Sequence, residues 1–172
     1  MKLNKILFSC LFSLIFALSV FAQNETFSDI NVDYTFDVPD ATWKQTVKPS
    51  STSPNVEYVY KDRADGHLEV RRIAVKPGDL FSDAIKSEEQ RLQFQSGFVT
   101  GKEEDFRGAL NGRVLNYEFV RSGRNMSGRL YFLRADDKTV YVLRFTGQRD
   151  KLRSVRNQTD SIARTFSIKK SE

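Results

Sequence analysis

Residues 139–145 read TVYVLRF, and this stretch is apolar on both of the faces that a β-strand presents. A strand with two apolar faces is typical of the centre of a sheet, because both of its faces must be covered. Asp136-Asp137-Lys138 directly before it has the composition of a turn. Two further stretches with strand patterns, residues 113–121 and 128–135, come before that turn. The pattern predicts an antiparallel meander in which residues 139–145 form a central strand.

The first half of the chain contributes further strands. Tyr34–Val38 alternates polar and apolar residues, which is typical of a half-buried strand, and Trp43 follows closely as an expected core anchor. Residues 56–60 and 67–75 flank the turn Ala64-Asp65-Gly66 and predict a hairpin. Together with the meander, these stretches predict an antiparallel sheet of about six to seven strands.

Two segments have helical periodicity. Asp79 is a natural N-cap, and a stripe formed by Phe81, Ile85 and Leu92 predicts an amphipathic helix over residues 79–95. A weaker pattern over residues 150–166 predicts one more helix. Its expected inward residues are Leu152, Val155, Ile162 and Phe166. The fold class predicted is therefore α+β, an antiparallel sheet flanked by helices.

The first 22 residues, MKLNKILFSCLFSLIFALSVFA, have the pattern of a signal peptide. A basic start precedes a long apolar run, and Val20 and Ala22 suit signal peptidase at positions −3 and −1. We expect cleavage between Ala22 and Gln23 and export to the periplasm or beyond, so that the chain meets a membrane only through this transient segment. An uncleaved anchor is the alternative. Residues 23–31 predict a flexible leader, and residues 32–169 a single domain.

The predicted mature chain excludes most catalytic chemistry. It has 25 basic and 22 acidic residues, a net charge of +3, and has lost the only cysteine. His67 is the single histidine, so zinc and thiol or triad chemistry lack their usual residues. Glu103-Glu104-Asp105 predicts a solvated loop or edge strand, because it lacks the spacing of a calcium loop. We predict no enzymatic activity, no metal and no cofactor, and no binding of nucleic acid.

The order of these elements resembles the PsbP-like superfamily, which includes DcrB-like bacterial domains and a Ran-binding nuclear-import factor. The features that carry the resemblance are Tyr34–Pro39 with Trp43, two hairpin strands, one long helix, and the expected turn Leu110-Asn111-Gly112 before three strands. The last helix then runs into Ser161–Phe166. The resemblance implies an α/β/α sandwich and a module that binds other macromolecules. It implies no catalytic residues.

Charge is distributed unevenly along the mature chain. Residues 23–106 hold 10 basic and 16 acidic residues, whereas residues 107–172 hold 15 basic and 6 acidic ones. In the last helix, Arg149, Arg153 and Arg156 follow i, i+4, i+7 spacing and predict one basic stripe. This stripe is the candidate partner-binding surface. The alternative is that the basic residues pair with acidic neighbours inside the same sheet.

Two functions remain open from the sequence. The first is an exported, non-catalytic module that binds a protein partner in the periplasm or at the cell envelope. The alternative is a carrier of a small ligand or lipid, with an apolar pocket between the long helix and the sheet. Phe81, Ile85 and Leu92 would line that pocket, together with the central strand.

Overall fold

The computed structural model describes residues 25–76, 78 and 81–170. Within these residues the chain forms ten strands and three helices. The strands are β1 (Glu25–Ser28), β2 (Tyr34–Val38), β3 (Trp43–Val47), β4 (Val56–Tyr60), β5 (Gly66–Ala74), β6 (Val99–Arg107), β7 (Asn111–Arg121), β8 (Arg124–Arg134), β9 (Thr139–Gln148) and β10 (Ser167–Ile168). The helices are α1 (Phe81–Leu92), α2 (Arg149–Ser154) and α3 (Arg156–Thr165).

Seven strands form one antiparallel sheet in the order β3-β4-β5-β9-β8-β7-β6. β9 is the middle strand, and Val140, Val142 and Phe145 are fully buried there. The prediction that residues 139–145 form a central strand is therefore confirmed. The strand continues as far as Gln148, and it pairs with β5 on one side and β8 on the other.

Each face of this sheet is covered by a separate apolar cluster. On one face, Ile85 and Leu92 of α1 pack with residues of β7, β8 and β9. On the other face, α2 and α3 pack through residues such as Leu152 and Ile162. A small antiparallel sheet, ordered β1-β2-β10, belongs to this second cluster through Phe36 and its neighbours. The fold is therefore α+β, with an antiparallel sheet between helical layers, as predicted.

The prediction of a flexible leader over residues 23–31 is wrong for β1. Glu25–Ser28 pairs with β2, and the ring of Phe27 stacks on that of Phe36 with centroids 4.8 Å apart. Phe27 is 6% exposed, so it adds apolar surface to the core. The folded domain thus includes residues before residue 32. The predicted signal peptide, residues 1–22, lies outside the described residues.

The helix predictions are correct in position but wrong in length. α1 ends at Leu92, its last buried residue, and Phe94 beyond it is 93% exposed because no layer covers it. The predicted N-cap Asp79 lies outside the described residues. The predicted helix over residues 150–166 is two helices, broken at Val155, whose φ and ψ are −104° and 14°. Among the described helices, none is both long and apolar enough to cross a membrane.

The turn expected at Asn111-Gly112 lies a few residues earlier. Both residues belong to β7, where they pair with Arg107 and Phe106. Residues 108–110 make the connection instead, and the backbone N–H of Ala109 donates to the carbonyl of Arg164 at 2.8 Å. This contact with the end of α3 fixes the turn, and it joins residues that are far apart in the sequence.

Candidate functional site

The three arginines of the predicted stripe lie along one groove. Arg149, Arg153 and Arg156 line it from α2 and α3, and its volume is about 370 Å³. We call this site the arginine groove. Its other lining residues come from the helices and from β6, β7 and β8, and they are Val99, Thr100, Gly101, Asn116, Tyr117, Glu118, Ser127, Gly128, Arg129, Leu152 and Thr159.

The local sequence explains why the arginines face outward. Leu152, Val155 and Thr159 are buried against the sheet, whereas the arginines between them extend along the groove, which Leu152 and Thr159 also line. Arg153 and Arg156 are exposed, and Arg149 is half-buried. Although the helix is broken at Val155, the three side chains remain on the same groove. The three arginines thus share one surface, as their spacing predicts.

The groove carries an excess of positive charge. Four arginines line it against a single acidic lining residue, Glu118, and the charge of one of them, Arg129, is compensated by Asp160 beneath the groove. The guanidinium of Arg149 lies 3.4 Å from the carboxylate of Glu118, and that of Arg156 lies 4.0 Å from Glu104. Arg153 makes no ion pair with any residue that the structure describes. Electrostatically, the groove is suited to an anionic group.

Arg129 forms the floor of the groove and belongs to a buried polar network. It is 7% exposed, and it donates to Asn116 at 2.6 Å, to the Tyr131 hydroxyl at 2.6 Å and to Asp160 at 2.9 Å. The Tyr131 hydroxyl also bonds to Asp160 and lies 3.2 Å from the hydroxyl of Thr159. The network therefore joins β7 and β8 to α3 directly beneath the arginine groove.

Burial and charge set the protonation of this network. Burial raises the pKa of Tyr131 far above its ordinary value of 10, with Asp160 contributing in the same direction and Arg129 opposing it. Burial disfavours the charge on Arg129, but Tyr131 and Asp160 outweigh this effect and raise its pKa. The phenol is thus neutral and the guanidinium charged, so the network holds Arg129 as a fixed cation.

Sequence reasoning did not single out this network. Arg129 was one of many arginines in the basic half, and Asp160 stood in no recognisable motif. The available signal was weak: Arg129 and Tyr131 have the same parity in β8, so their side chains share a face. That Asp160 meets them depends on how α3 crosses the sheet.

The other candidate residues have structural surroundings. His67 is buried, with Nε2 2.8 Å from Glu57, and burial lowers its pKa. Glu103 and Asp105 lie on the edge strand β6 and both accept hydrogen bonds from Arg113. The prediction that Glu103-Glu104-Asp105 lies in a solvated loop or an edge strand is therefore confirmed for the edge strand. Within the described part of the chain, no cluster of three or more His, Cys, Asp or Glu side chains could hold a metal ion.

The space beneath α1 is filled by side chains. Ile85 and Leu92 are each 3% exposed and pack with Leu115, Phe119 and Phe132 of the sheet. Glu88 is also buried there, and it accepts hydrogen bonds from two arginines. The arginine groove lies on the opposite face of the sheet.

Comparison with known sequences and structures bears on the fold. No family model matches the chain, and no curated protein matches it significantly. Several solved structures do match it. The Ran-binding protein Mog1p of Saccharomyces cerevisiae is 12% identical with a TM-score of 0.60, and the match covers 86% of this chain and 96% of that one.

Two bacterial structures also match the chain. The cyanobacterial PsbP (CyanoP) of Synechocystis sp. is 17% identical with a TM-score of 0.55, covering 86% of this chain and 93% of that one. LpqN of Mycobacterium tuberculosis, described as involved in cell envelope biogenesis, is 15% identical with a TM-score of 0.55, covering 86% and 91%. At these identities the likeness is one of fold. The chain accordingly has a PsbP-like α+β fold, as the order of its sequence elements indicated.

Proposed function

We propose that this protein is an exported, non-catalytic module that binds a protein partner in the periplasm or at the cell envelope through the arginine groove. One observation carries the proposal: four arginines and one acidic residue line a single groove. Arginine forms directed hydrogen bonds with carboxylates, and it is enriched where interfaces are energetically important.

The buried network supports this function. A guanidinium free in solvent loses conformational entropy when it binds, whereas Arg129 is already held in place by Asn116, Tyr131 and Asp160. Val99 at the rim is 61% exposed, and Leu152 contributes apolar surface to the same groove. A partner that presents carboxylates beside an apolar side chain would therefore fit both kinds of surface.

The descriptions of two similar structures also support a binding role and a place at the cell envelope. Mog1p is named as a Ran-binding protein, and LpqN is described as involved in cell envelope biogenesis. A role in binding and a place at the envelope are proposed for this chain by analogy with them, and the predicted signal peptide agrees with that place.

Site-specific photo-crosslinking tests the proposal. A photoreactive residue placed at Val99, whose register partner Glu118 contacts Arg149 at the groove, should capture the partner in the native host, and mass spectrometry would identify it. The affinity of the purified partner is then measured for the wild type and for the variant Arg149→Glu/Arg153→Glu/Arg156→Glu. We expect an affinity loss of about 100-fold, which corresponds to about 2.7 kcal/mol.

A matched control separates the groove from general charge effects. Lys44→Glu/Lys48→Glu/Lys86→Glu makes the same change in net charge at exposed positions outside the groove, and its affinity should stay within about threefold of the wild type. Equal losses in the two triple variants would refute the groove as the binding site.

Native mass spectrometry of the protein from its own host tests export and the carrier function together. A measured mass that matches a chain beginning at Gln23 would support cleavage of the signal peptide and export. An additional mass of a few hundred daltons, lost on denaturation, would instead favour the carrier of a small ligand or lipid.

A further inference from the structure

A second cluster of arginines lies at the end of the β7–β8 hairpin. Arg121 and Arg124 are direct register partners on either side of the turn Ser122-Gly123. Both turn residues have positive φ, 50° and 71°, as a two-residue type I′ turn requires. This tight turn fixes the two arginines opposite each other.

Opposed arginines are unfavourable in a hairpin. Direct partners in an antiparallel pair have Cβ atoms about 4.5–5.5 Å apart on the same face, and like charges there destabilise the pair. Alternation along the strands places both arginines on the face that carries Phe119 and Met126. The guanidinium of Arg121 lies 5.3 Å from the centroid of the Phe119 ring, which orients it. Neither arginine forms an ion pair with a described residue.

Arg63 brings a third guanidinium from a different hairpin. It lies in the β4–β5 turn and, with Arg121 and Arg124, lines a cavity of about 280 Å³ whose other lining residues are Ala64, Ser122 and Met126. The carbonyl of Ala64 accepts a hydrogen bond from the backbone of Gln148 at 2.7 Å, which ties this turn to β9. We call the three arginines the hairpin-tip cluster.

Among the residues that the structure describes, no carboxylate lines this cavity. Arg63 pairs with Glu57 at 3.2 Å, and the same carboxylate lies 2.8 Å from His67. Three arginines thus line one small cavity. Only the charge of Arg63 is partly compensated by a described carboxylate, that of Glu57. An arrangement that costs stability, and that supplies several guanidinium donors, is typical of an anion site.

We propose that the hairpin-tip cluster binds a phosphate group, either free or carried by a small molecule or a lipid headgroup. The guanidinium groups would donate to the phosphate oxygens, and the bound charge would relieve the repulsion between Arg121 and Arg124. The site is separate from the arginine groove, because it lies on the face of the sheet that carries α1. It is therefore independent of the proposed protein partner.

Thermal unfolding with inorganic phosphate tests the site. At 10 mM phosphate, the Tm of the wild type should rise by about 3 °C relative to chloride at equal ionic strength, because a ligand that binds only the native state stabilises it. Arg124→Gln and Arg63→Gln should each remove most of that rise. Arg107→Gln, at an exposed arginine on β6 away from the cavity, should keep it.

Calorimetric titration with phosphate should show at least a tenfold weaker affinity for Arg124→Gln and for Arg63→Gln. Without phosphate and at low salt, Arg124→Gln should be more stable than the wild type, because the opposed charge is gone. A rise in Tm with phosphate that is no larger than the rise with chloride would overturn the proposal. So would equal phosphate effects in all four proteins.

Vesicle sedimentation identifies the source of the phosphate. Binding to phosphatidylglycerol vesicles, but not to phosphatidylcholine vesicles, that is lost in Arg124→Gln would assign the site to an anionic lipid headgroup. Binding of inorganic phosphate without binding to either vesicle would assign it to a soluble phosphate compound.

Discussion

Asp160 on α3 accepts a hydrogen bond from the guanidinium of Arg129 on β8 at 2.9 Å, and this contact joins a helix to the floor of the arginine groove. The Arg129 side chain is 9% exposed and that of Asp160 is 23% exposed. The pair is therefore largely removed from water, and each partner depends on the other for compensation of its charge.

Asp160→Ala should destabilise the protein. The substitution leaves the buried Arg129 without its carboxylate, so we expect the free energy of unfolding to fall by about 2–3 kcal/mol. Urea unfolding measures this value. Asp137→Ala, at an exposed turn position, is the control and should change stability by less than about 0.5 kcal/mol. Equal effects of the two substitutions would contradict a structural role for the network.

Glu88 should hold α1 on the sheet. Within α1 only Ile85, Glu88 and Leu92 are buried, and Glu88 accepts hydrogen bonds from Arg71 at 2.8 Å and Arg91 at 3.0 Å. Glu88→Ala should increase local opening of α1 at least about tenfold, as measured by amide hydrogen exchange, because Arg71 loses its buried partner. Exchange in β9 should change less. The exposed position Ser87→Ala is the control, and unaltered exchange of α1 in Glu88→Ala would refute the prediction.

The stability of the protein should fall between pH 7.5 and 5.5 because of His67. Burial lowers the pKa of His67 below its ordinary value of 6.5, so the unfolded chain binds a proton at a higher pH than the folded protein does. The stability from neutral His67 is present above about pH 6.5 and is lost as the pH decreases toward the folded-state pKa. Urea midpoints measured across this range should decrease for the wild type and remain flatter for His67→Gln. If the urea midpoints of the wild type and of His67→Gln change with pH in parallel, His67 is not the cause of the pH dependence.

Gly128→Ala should disturb the face that carries α1. A Cβ atom at this position would lie 2.0 Å from the ring carbon Cζ of Tyr117, whose hydroxyl accepts a hydrogen bond from Arg144 at 2.9 Å. The ring would have to move, so we expect a loss of about 2–3 kcal/mol in urea unfolding. Ser127→Ala on the opposite face of the sheet is the control, and it should lower the free energy of unfolding far less.

Local sequence patterns predicted the features that depend on the order of neighbouring residues. The apolar residues on both faces of Thr139–Phe145 indicated a central strand, and β9 is the middle strand of the sheet. Trp43 was expected in the core and is 3% exposed. The spacing of Arg149, Arg153 and Arg156 likewise predicted that they share one surface, and all three line the same groove.

Errors occurred where distant segments decide the structure. The sequence predicts a leader where β1 lies, because four residues with one buried Phe27 show little periodicity and the strand is ordered by its pairing with β2. The break at Val155 is likewise absent from the prediction, since the apolar spacing of residues 150–166 suits one helix, whereas two short helices pack on the sheet.

The sequence by itself determined the α+β class, the central strand, the inward faces and the uneven distribution of charge, since each follows from the order and period of neighbouring residues. The tertiary structure decided which charges meet. Arg129 and Asp160 are 31 residues apart, and Arg63 lies in a different hairpin from Arg121 and Arg124. Such contacts depend on strand order, register and the crossing of helices over the sheet. These are set by the packing of the whole core and leave no local period in the chain.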